Sequence, residues 1–396
     1  MGLLSRKKMK ENLKSILNFI LSTISYFVPK NKNRVFFKSK PDYAGNGKAL
    51  SDYIYNKKMS YEIIWSLGNF NFDKKDKYYF KCVRKGTIKE LYYYFTSKIV
   101  VTTHNEMIGA SSKNQVYISL WHGMPFKKIG YLGEFDYIGM KDYSATRIAT
   151  SEIMRSIISA SFREKANEIY VTGQPRNDFL FKPVKIEELG LNISRRKKLL
   201  LYAPTFRIND ENIKYSDGDC ISDDNFLRVE DFSIKELDLF LLKNDYHLIL
   251  KLHPYEENYF KNIENLTSNI TIIKTNTLLN HNIDVNQLLA IADILITDYS
   301  SMFFDYLILN RPIVFLVPDI VNYRKSRGGF TLEPFDFWTP GHKVENQKTL
   351  LEVLRILKKE NDPYKDKRIQ VNSLINYYND DQNSKRVVEL MNGKLL

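Results

Sequence analysis

Short apolar runs alternate along the chain with longer polar stretches in which apolar residues recur at helical spacing. In the first half, runs rich in β-branched and aromatic residues lie at 34–38, 61–65, 99–103, 115–120 and 168–172. A second series lies at 198–202, 247–251, 270–273, 294–297 and 312–316. Strands that alternate with helices in this way predict largely parallel, doubly wound sheets. We therefore predict an α/β protein with two Rossmann-like domains.

A connecting segment separates the two series of strands. Residues 182–198 contain a proline, a glycine and a basic cluster, a composition typical of a linker. We predict domains over 34–185 and 196–396, with a separate segment over 1–33. Ligands of such sheets bind at the carboxyl ends of the strands. Two domains facing a cleft, the GT-B type of fold, would place the two substrates opposite each other.

The segment over 1–33 combines positive charge with an apolar helical stripe. Residues 1–34 carry eight Lys and Arg residues against Glu11 alone, more than half of the net charge of +13. The apolar stretch over 13–28 is interrupted by polar residues and is shorter than the roughly 20 residues that a spanning helix needs. It predicts an amphipathic helix in the headgroup region of an anionic membrane. A first helix packed against the protein core is the alternative.

The cysteine content and the position of the charge indicate the cellular compartment and the kind of partner. Two cysteines, Cys82 and Cys220, make neither a disulfide framework nor a C-x-x-C pair, which favours a reducing compartment. No small-residue cleavage site follows the apolar stretch, so a secretory signal is disfavoured. Charge concentrated beside a membrane stripe also disfavours nucleic acid as the partner. We expect a peripheral protein on the cytoplasmic face of a membrane.

A histidine ends one of the apolar runs in the first half. The sequence L-W-H-G-M-P-F-K-K-I-G over 120–130 places His122 at a strand end, with Gly123 after it. Glycine allows a tight turn and close approach of a ligand, and a histidine can accept a hydroxyl proton at neutral pH. His122 is the candidate general base, with a structural histidine as the alternative.

Three strand ends in the second half carry groups suited to phosphate. They comprise Thr205 and Arg207 after the first strand, Lys251 and His253 at the second, and Thr297, Asp298, Ser300 and Ser301 at the fourth. Serine hydroxyls and free N–H groups at a helix start form an anion site. Simple capping of that helix by Asp298 and Ser300 is the alternative.

Two further patterns are interpreted as structural. Asp217 and Asp219 form a D-x-D pair, but the surrounding stretch over 208–231 is polar and rich in Asp, Asn and Ser. We interpret that stretch as a solvated loop and predict no metal site. The motif G-Q-P-R-N-D over 173–178 closes the first domain after a strand.

Taken in order, the motifs resemble one family. The set W-H-G-x-P-x-K-K-I-G, G-x-P-R-N-D, Y-A-P-T-F-R, K-L-H-P and T-D-Y-S-S-x-x-F-D is similar to the CDP-glycerol glycerophosphotransferases, in particular their single-module members. The resemblance implies transfer of a polyol phosphate from CDP-glycerol or CDP-ribitol to a hydroxyl of a lipid-linked acceptor, with release of CMP. It also implies that the domain over 34–185 binds the acceptor and the domain over 196–396 the donor. A role in teichoic acid or capsule synthesis, peripheral attachment to the bacterial membrane and the absence of a cofactor are implied as well.

The resemblance implies a role for several residues by position. His122 matches the general base and His253 the contact to the donor phosphates, while Ser300 and Ser301 match the pyrophosphate site. Arg207, Asp298 and Arg327 match charged positions near the donor, which completes the predicted set.

The donor polyol and two rival functions stay open. The segment over 327–341 departs from the tyrosine- and acid-rich version common in the family, which leaves the donor polyol open. Glycerol is the favoured polyol, with ribitol as the alternative. A glycosyltransferase of the same fold that uses a nucleotide sugar is one alternative function. A non-catalytic basic membrane scaffold is the other.

Overall fold

The computed structural model describes most of the chain. It covers residues 2–68, 78–134, 137, 140–207, 225–254, 256–257, 259–260, 263 and 267–395, without the side chains of 2–12, 14, 326 and 327. The D-x-D pair at Asp217 and Asp219 lies outside the described residues.

Strands and helices alternate along the described chain. The strands are β1 Asn31–Lys38, β2 Glu62–Leu67, β3 Lys81–Arg84, β4 Ser97–Thr102, β5 Val116–Ser119, β6 Thr146–Ala149, β7 Ile169–Val171, β8 Lys198–Tyr202, β9 Tyr246–Leu250, β10 Ile270–Ile272, β11 Ile294–Thr297, β12 Ile313–Leu316 and β13 His342–Val344. The helices are α1 Gly2–Phe27, α2 Gly45–Asn56, α3 Ile88–Thr96, α4 Glu152–Phe162, α5 Ile234–Lys243, α6 Thr275–Asn280, α7 Val285–Ile291, α8 Met302–Tyr306, α9 Ile320–Arg327, α10 Phe335–Trp338, α11 Gln347–Lys358, α12 Lys365–Ile375 and α13 Asn383–Leu395.

The first sheet is parallel throughout its described strands. Their order is β3-β2-β1-β4-β5-β6-β7, so the chain order reverses at β1, which lies between β2 and β4. Sequence patterning missed β3 and β6. Both are four residues long and carry charge: Lys81 and Arg84 in β3, and the buried Arg147 in β6.

The second sheet repeats the same topology. Its order is β10-β9-β8-β11-β12-β13, again with parallel pairing and with the first strand, β8, between the second and the fourth. The missed strand here is β13, three residues long, which begins with His342 and Lys343. The predicted α/β class, with two Rossmann-like sheets, is confirmed.

Both faces of the first sheet are buried, which explains its near-continuous apolar runs. Val35 and Phe37 of β1 lie in one core cluster, whereas Phe36, between them, lies in the cluster on the opposite face. The C-terminal helix α13 covers the first of these faces with Val387 and Met391.

The chain forms two compact units, and two segments belong to a different unit from their neighbours in the sequence. The first comprises 1–123, 135–178 and 380–396, and the second comprises 124–134 and 179–379. The division predicted from the sequence, at 34–185 and 196–396, assigned 124–134 and 380–396 to the other unit. Sequence patterning indicated no boundary at either segment, and it is tertiary packing that distinguishes them.

The motif G-Q-P-R-N-D anchors the returning C-terminal helix. The buried Asp178 carboxylate accepts hydrogen bonds from the backbone N–H groups of Asn383 and Ser384, both at 2.9 Å, at the start of α13. Gly173 has a φ of +76°, and a Cβ placed there would lie 1.8 Å from the side-chain oxygen of Asn383. The interpretation of this motif as structural agrees with these contacts.

We predict that Asp178→Ala destabilises the first unit. The substitution leaves buried N–H groups of α13 unsatisfied, and capping losses of this kind cost about 1–3 kcal/mol. Chemical denaturation followed by tryptophan fluorescence measures the change. Asp381→Ala, an exposed aspartate just before the same helix, serves as the control. An equal loss in both variants would contradict the capping role.

Candidate active site

In the second unit, the predicted phosphate-binding residues follow three adjacent strands. Thr205 and Arg207 follow β8, His253 follows β9, and Ser300 and Ser301 follow β11. Since β8 and β11 are the neighbours at which the strand order reverses, this edge is the position where doubly wound sheets bind ligands. The structure therefore brings the residues of three separate motifs to one edge of one sheet.

Asp298 connects the loops after β8 and β11. One oxygen of its buried carboxylate accepts hydrogen bonds from the Thr205 backbone N–H at 2.8 Å, the Thr205 hydroxyl at 2.9 Å and the Tyr299 N–H at 2.6 Å. The other oxygen lies 3.0 Å from the Arg207 guanidinium. Asp298 and Thr205 thus hold the edge together.

Arg207 is shared between two carboxylates. Besides Asp298, its guanidinium contacts Asp319 at 3.2 Å, and its centre lies 5.3 Å from the ring of Tyr299 and 5.1 Å from that of Tyr323. Burial alone disfavours the charged form, but the two carboxylates more than offset this, and the pKa of Arg207 lies above its usual value. Because breaking such a buried pair is costly, Arg207 is held in place and orders the loops around it.

Two residues predicted to bind the substrate have side chains that instead form hydrogen bonds within the protein. The buried Thr297 hydroxyl donates to the Ala203 carbonyl at 2.7 Å. The Lys251 ammonium donates to the Glu257 carboxylate at 2.7 Å and to the Thr275 hydroxyl at 3.0 Å, and burial lowers its pKa. These contacts make both residues part of the support of the edge.

His253 and the two serines are half-buried, so part of each faces solvent. The ring of His253 packs on Phe206, with 4.5 Å between centroids. Ser301 precedes α8, and the Ser300 hydroxyl accepts a bond of 3.4 Å from the Met302 N–H.

The helix after this serine turn is short. Helix α8 has five residues, so it adds little of the dipole field that a long helix brings. Anion binding here would depend on the serine hydroxyls and on individual N–H groups.

The segment that departs from the family pattern forms part of an aromatic core. Phe330 and Phe335 are buried, with 5.1 Å between their rings, and Phe330 stacks on Phe126 at 4.7 Å. Arg327 ends α9, but its side chain lies outside the described residues.

In the first unit, His122 follows β5 and is exposed. The backbone around it is unusual, because Trp121 has a φ of +52° and Gly123 a φ of +152°. A side chain is disfavoured at such angles, which accounts for Gly123 and marks a turn held by its surroundings.

Asn46 and Arg176 hold this turn. The buried Asn46 amide donates to the Trp121 carbonyl at 2.9 Å and accepts from the Arg176 backbone N–H at 3.0 Å. The Arg176 guanidinium donates to the His122 carbonyl at 2.6 Å. Sequence analysis did not single out either residue as part of the site, although Arg176 lies in the motif G-Q-P-R-N-D.

A second histidine lies against His122. The rings of His104 and His122 are stacked, 4.2 Å between centroids and 10° from parallel, and the Trp121 ring lies 4.3 Å from that of His122. Sequence analysis missed His104. The available signal was its position just after a predicted strand, which it shares with His122.

Two doubly wound parallel sheets with polar groups at their strand ends define a fold of the GT-B type. A family model described as CDP-Glycerol:Poly(glycerophosphate) glycerophosphotransferase matches residues 20–393. The chain belongs to that family, whose members are transferases of teichoic acid biosynthesis.

Individual relatives agree with this assignment. The chain is 31% identical over 363 residues to the teichoic acid poly(glycerol phosphate) polymerase of Bacillus spizizenii, over 85% of this chain and 86% of the relative. It is 28% identical over 394 residues to the teichoic acid poly(ribitol-phosphate) polymerase of the same organism, covering 91% of this chain and 56% of the longer relative. A solved structure of the wall teichoic acid polymerase TagF shares the fold, with a TM-score of 0.74, 21% identity and 98% coverage of both chains.

We predict that Asn46→Ala lowers transferase activity about tenfold, because the peptide carrying His122 loses an anchor and catalytic geometry is sensitive to small displacements. Activity at saturating donor measures the effect, and thermal unfolding tests whether the fold persists. Asn56→Ala, at the exposed opposite end of α2, is the control and should change neither quantity. Full activity of Asn46→Ala would contradict the anchoring role.

Proposed function

We propose that the chain transfers glycerol phosphate from CDP-glycerol to a hydroxyl of a lipid-linked acceptor and releases CMP. The observation that carries the proposal is the contrast at the strand ends. His122, His253 and the two serines face solvent at least in part, whereas the charged residues around them are engaged within the protein. Family membership favours this reaction over transfer from a nucleotide sugar and over a non-catalytic scaffold.

In the proposed reaction, the acceptor hydroxyl attacks the phosphorus atom that carries the glycerol. A new bond forms between the acceptor oxygen and that phosphorus, and the bond from phosphorus to the bridging oxygen breaks. The bridging oxygen leaves with CMP, and His122 accepts the hydroxyl proton.

The second unit would bind the donor. His253, Ser300 and Ser301 follow strands β9 and β11 at the ligand-binding edge and can donate hydrogen bonds to the diphosphate. Phosphoryl transfer depends mainly on positioning and on stabilisation of charge, which donors fixed in place can supply. The hydrogen-bonding side chains would be held in position by the residues behind them, which are Arg207, Asp298, Thr205, Lys251 and Thr297.

Glycerol is the proposed polyol for two reasons. The family description names CDP-glycerol, and the relative with 31% identity is a poly(glycerol phosphate) polymerase. The ribitol-phosphate polymerase among the relatives makes CDP-ribitol the donor to compare with it.

The test incubates the purified full chain with CDP-glycerol or CDP-ribitol and a lipid-linked disaccharide, and measures CMP and product mass. We expect CMP with CDP-glycerol and a loss of about 10²- to 10⁴-fold in His122→Ala, the usual range for a general base. His281→Ala, an exposed histidine after α6, is the matched control. No CMP from either donor would overturn the donor assignment, and full activity of His122→Ala would overturn the base.

We also propose that α1 attaches the protein to the cytoplasmic face of an anionic membrane. The helix packs on its own unit through Leu21 and the adjoining Val28, which lie against a core cluster, and through two polar contacts. The Asn18 amide donates to the Tyr143 hydroxyl at 3.2 Å, and the buried Ser25 hydroxyl donates to Gln115 at 3.0 Å. Gly109 leaves room for Asn18, since a Cβ there would lie 2.3 Å from its amide nitrogen.

The opposite side of α1 is apolar and exposed. Exposed fractions are 59% for Ile16, 54% for Leu17, 48% for Ile20 and 47% for Ile24. These fractions disfavour the alternative in which the stripe packs on the protein core. None of the helices in the described ranges is long and apolar enough to cross a membrane. An apolar stripe beside basic residues suits a helix that lies in the headgroup region.

We predict that replacing Ile20 and Ile24 by serine weakens binding to vesicles of phosphatidylcholine with about one third phosphatidylglycerol. Loss of two inserted side chains should reduce the partition coefficient at least about tenfold, equivalent to about 1.4 kcal/mol. Co-sedimentation measures the change. The control replaces Leu239 and Leu242, which are 49% and 54% exposed on α5, by serine. Equal losses in both double variants would contradict membrane insertion of α1.

A further inference from the structure

His104 lies at the reversal point of the first sheet and has no part in the function proposed above. It follows β4, and β4 is paired with β1, where the strand order reverses. The next strand in the sheet, β5, leads to His122. The topology therefore places two histidines at the ends of adjacent strands, at the edge where ligands of this fold bind.

The turn that carries His104 is held at every residue. Asn105 and Met107 have φ values of +55° and +57°. The Asn105 side chain accepts hydrogen bonds from the Ser119 hydroxyl at 2.8 Å and from Arg147 at 2.9 Å. Positive φ values cost energy in residues other than glycine, so this turn persists because its surroundings determine it.

Further bonds fix the backbone on both sides of the ring. The Glu106 carboxylate accepts from the His104 N–H at 2.7 Å, and the Tyr117 hydroxyl donates to the Glu106 carbonyl at 2.7 Å. The Nδ1 atom of His104 lies 2.9 Å from the Thr103 hydroxyl. The imidazole of His104 thus forms a fixed surface.

His122 lies on that surface. The two imidazoles are nearly parallel at 4.2 Å, whereas His122 itself is exposed and follows a residue in the left-handed region. An exposed histidine has several rotamers of similar energy, and contact with a fixed parallel ring restricts them.

Burial, and then the nearby Lys40 and Lys85, lower the pKa of His104 to about 4. The charged groups around it are these two lysines and Glu106, while His122 lies against its face. His104 is therefore neutral near pH 7 and does not compete with His122 for a proton. A neutral ring can also stack on the imidazolium that His122 becomes, whereas a second cation would repel it.

We infer that His104 is a positioning residue, which orients the His122 imidazole for proton transfer through ring stacking. The inference rests on the proposed role of His122 as the general base. It assigns the function of His104 to its aromatic face and not to a nitrogen atom.

The test compares His104→Ala, His104→Phe and wild type in the CMP-release assay with CDP-glycerol. We expect His104→Ala to lower kcat about tenfold with KM for CDP-glycerol unchanged, because the base is misplaced while the donor site is intact. His104→Phe keeps a ring face and should stay within about threefold of wild type. Tyr55→Ala removes a comparable stack, 4.0 Å and 14° against Tyr79, elsewhere in the first unit and should have no effect.

A double variant separates this role from a general effect on the fold. In the His122→Ala background, His104→Ala should cause less than about a twofold further loss, because a residue that acts through His122 has nothing left to position. The NMR signal of the His122 Cε1–H group gives a readout independent of activity. It should move in His104→Ala as the stacked ring is lost, and should remain nearer its original position in His104→Phe.

The outcomes distinguish this inference from the proposed function. If His122→Ala is inactive while His104→Ala has full kcat, the base stands and the positioning role is overturned. If His104→Phe is as impaired as His104→Ala, a nitrogen of His104 is required and stacking is overturned. If His122→Ala is fully active, the proposed role of His122 as the base fails, and the inference about His104 fails with it. An unchanged His122 signal in His104→Ala would overturn the stacking contact alone.

Discussion

The site depends on one constraint, the position of the first strand of each unit. That strand is paired in parallel with a later strand on each side. β1 lies between β2 and β4, and β8 lies between β9 and β11, so the connections leave the sheet in opposite directions at these points. The carboxyl ends of the strands there are left uncovered by crossover helices. Apart from Arg327, which ends α9, the candidate residues of the two units lie in, or support, loops at these two edges.

Burial then divides the polar residues of each edge into two groups. A charge removed from water must be paired, and Asp298, Arg207 and Lys251 are each held by partners within their own unit. The groups that remain half-buried or exposed are the histidines and serines, which are weak acids, weak bases or neutral donors. A site of this kind holds its reactive groups rigidly, because the strong electrostatic contacts are made behind them.

The first unit achieves the same rigidity with amide and aromatic groups. Asn46 ties the peptide before His122 to the G-Q-P-R-N-D motif, and the His104 ring lies flat against the His122 imidazole. Asp178 of the same motif receives the N-terminus of α13, which returns to this unit after the whole of the second. The motif therefore stabilises both the fold and the turn that carries His122.

The sequence by itself determined the α/β class, the longer strands and the strand-end positions of His122, His253 and the serine turn. It could do so because buried parallel strands need continuous apolar runs and their ends are marked by polar residues. Tertiary structure alone decided the short charged strands β3, β6 and β13, the return of α13 and the proximity of His104 and Asn46 to His122. These depend on contacts between residues far apart in the chain, for which local patterning carries no signal. Tertiary structure also decided which side chains face solvent and which are bonded within the protein. The apolar side of α1 is exposed, whereas the Thr297 hydroxyl is turned inward.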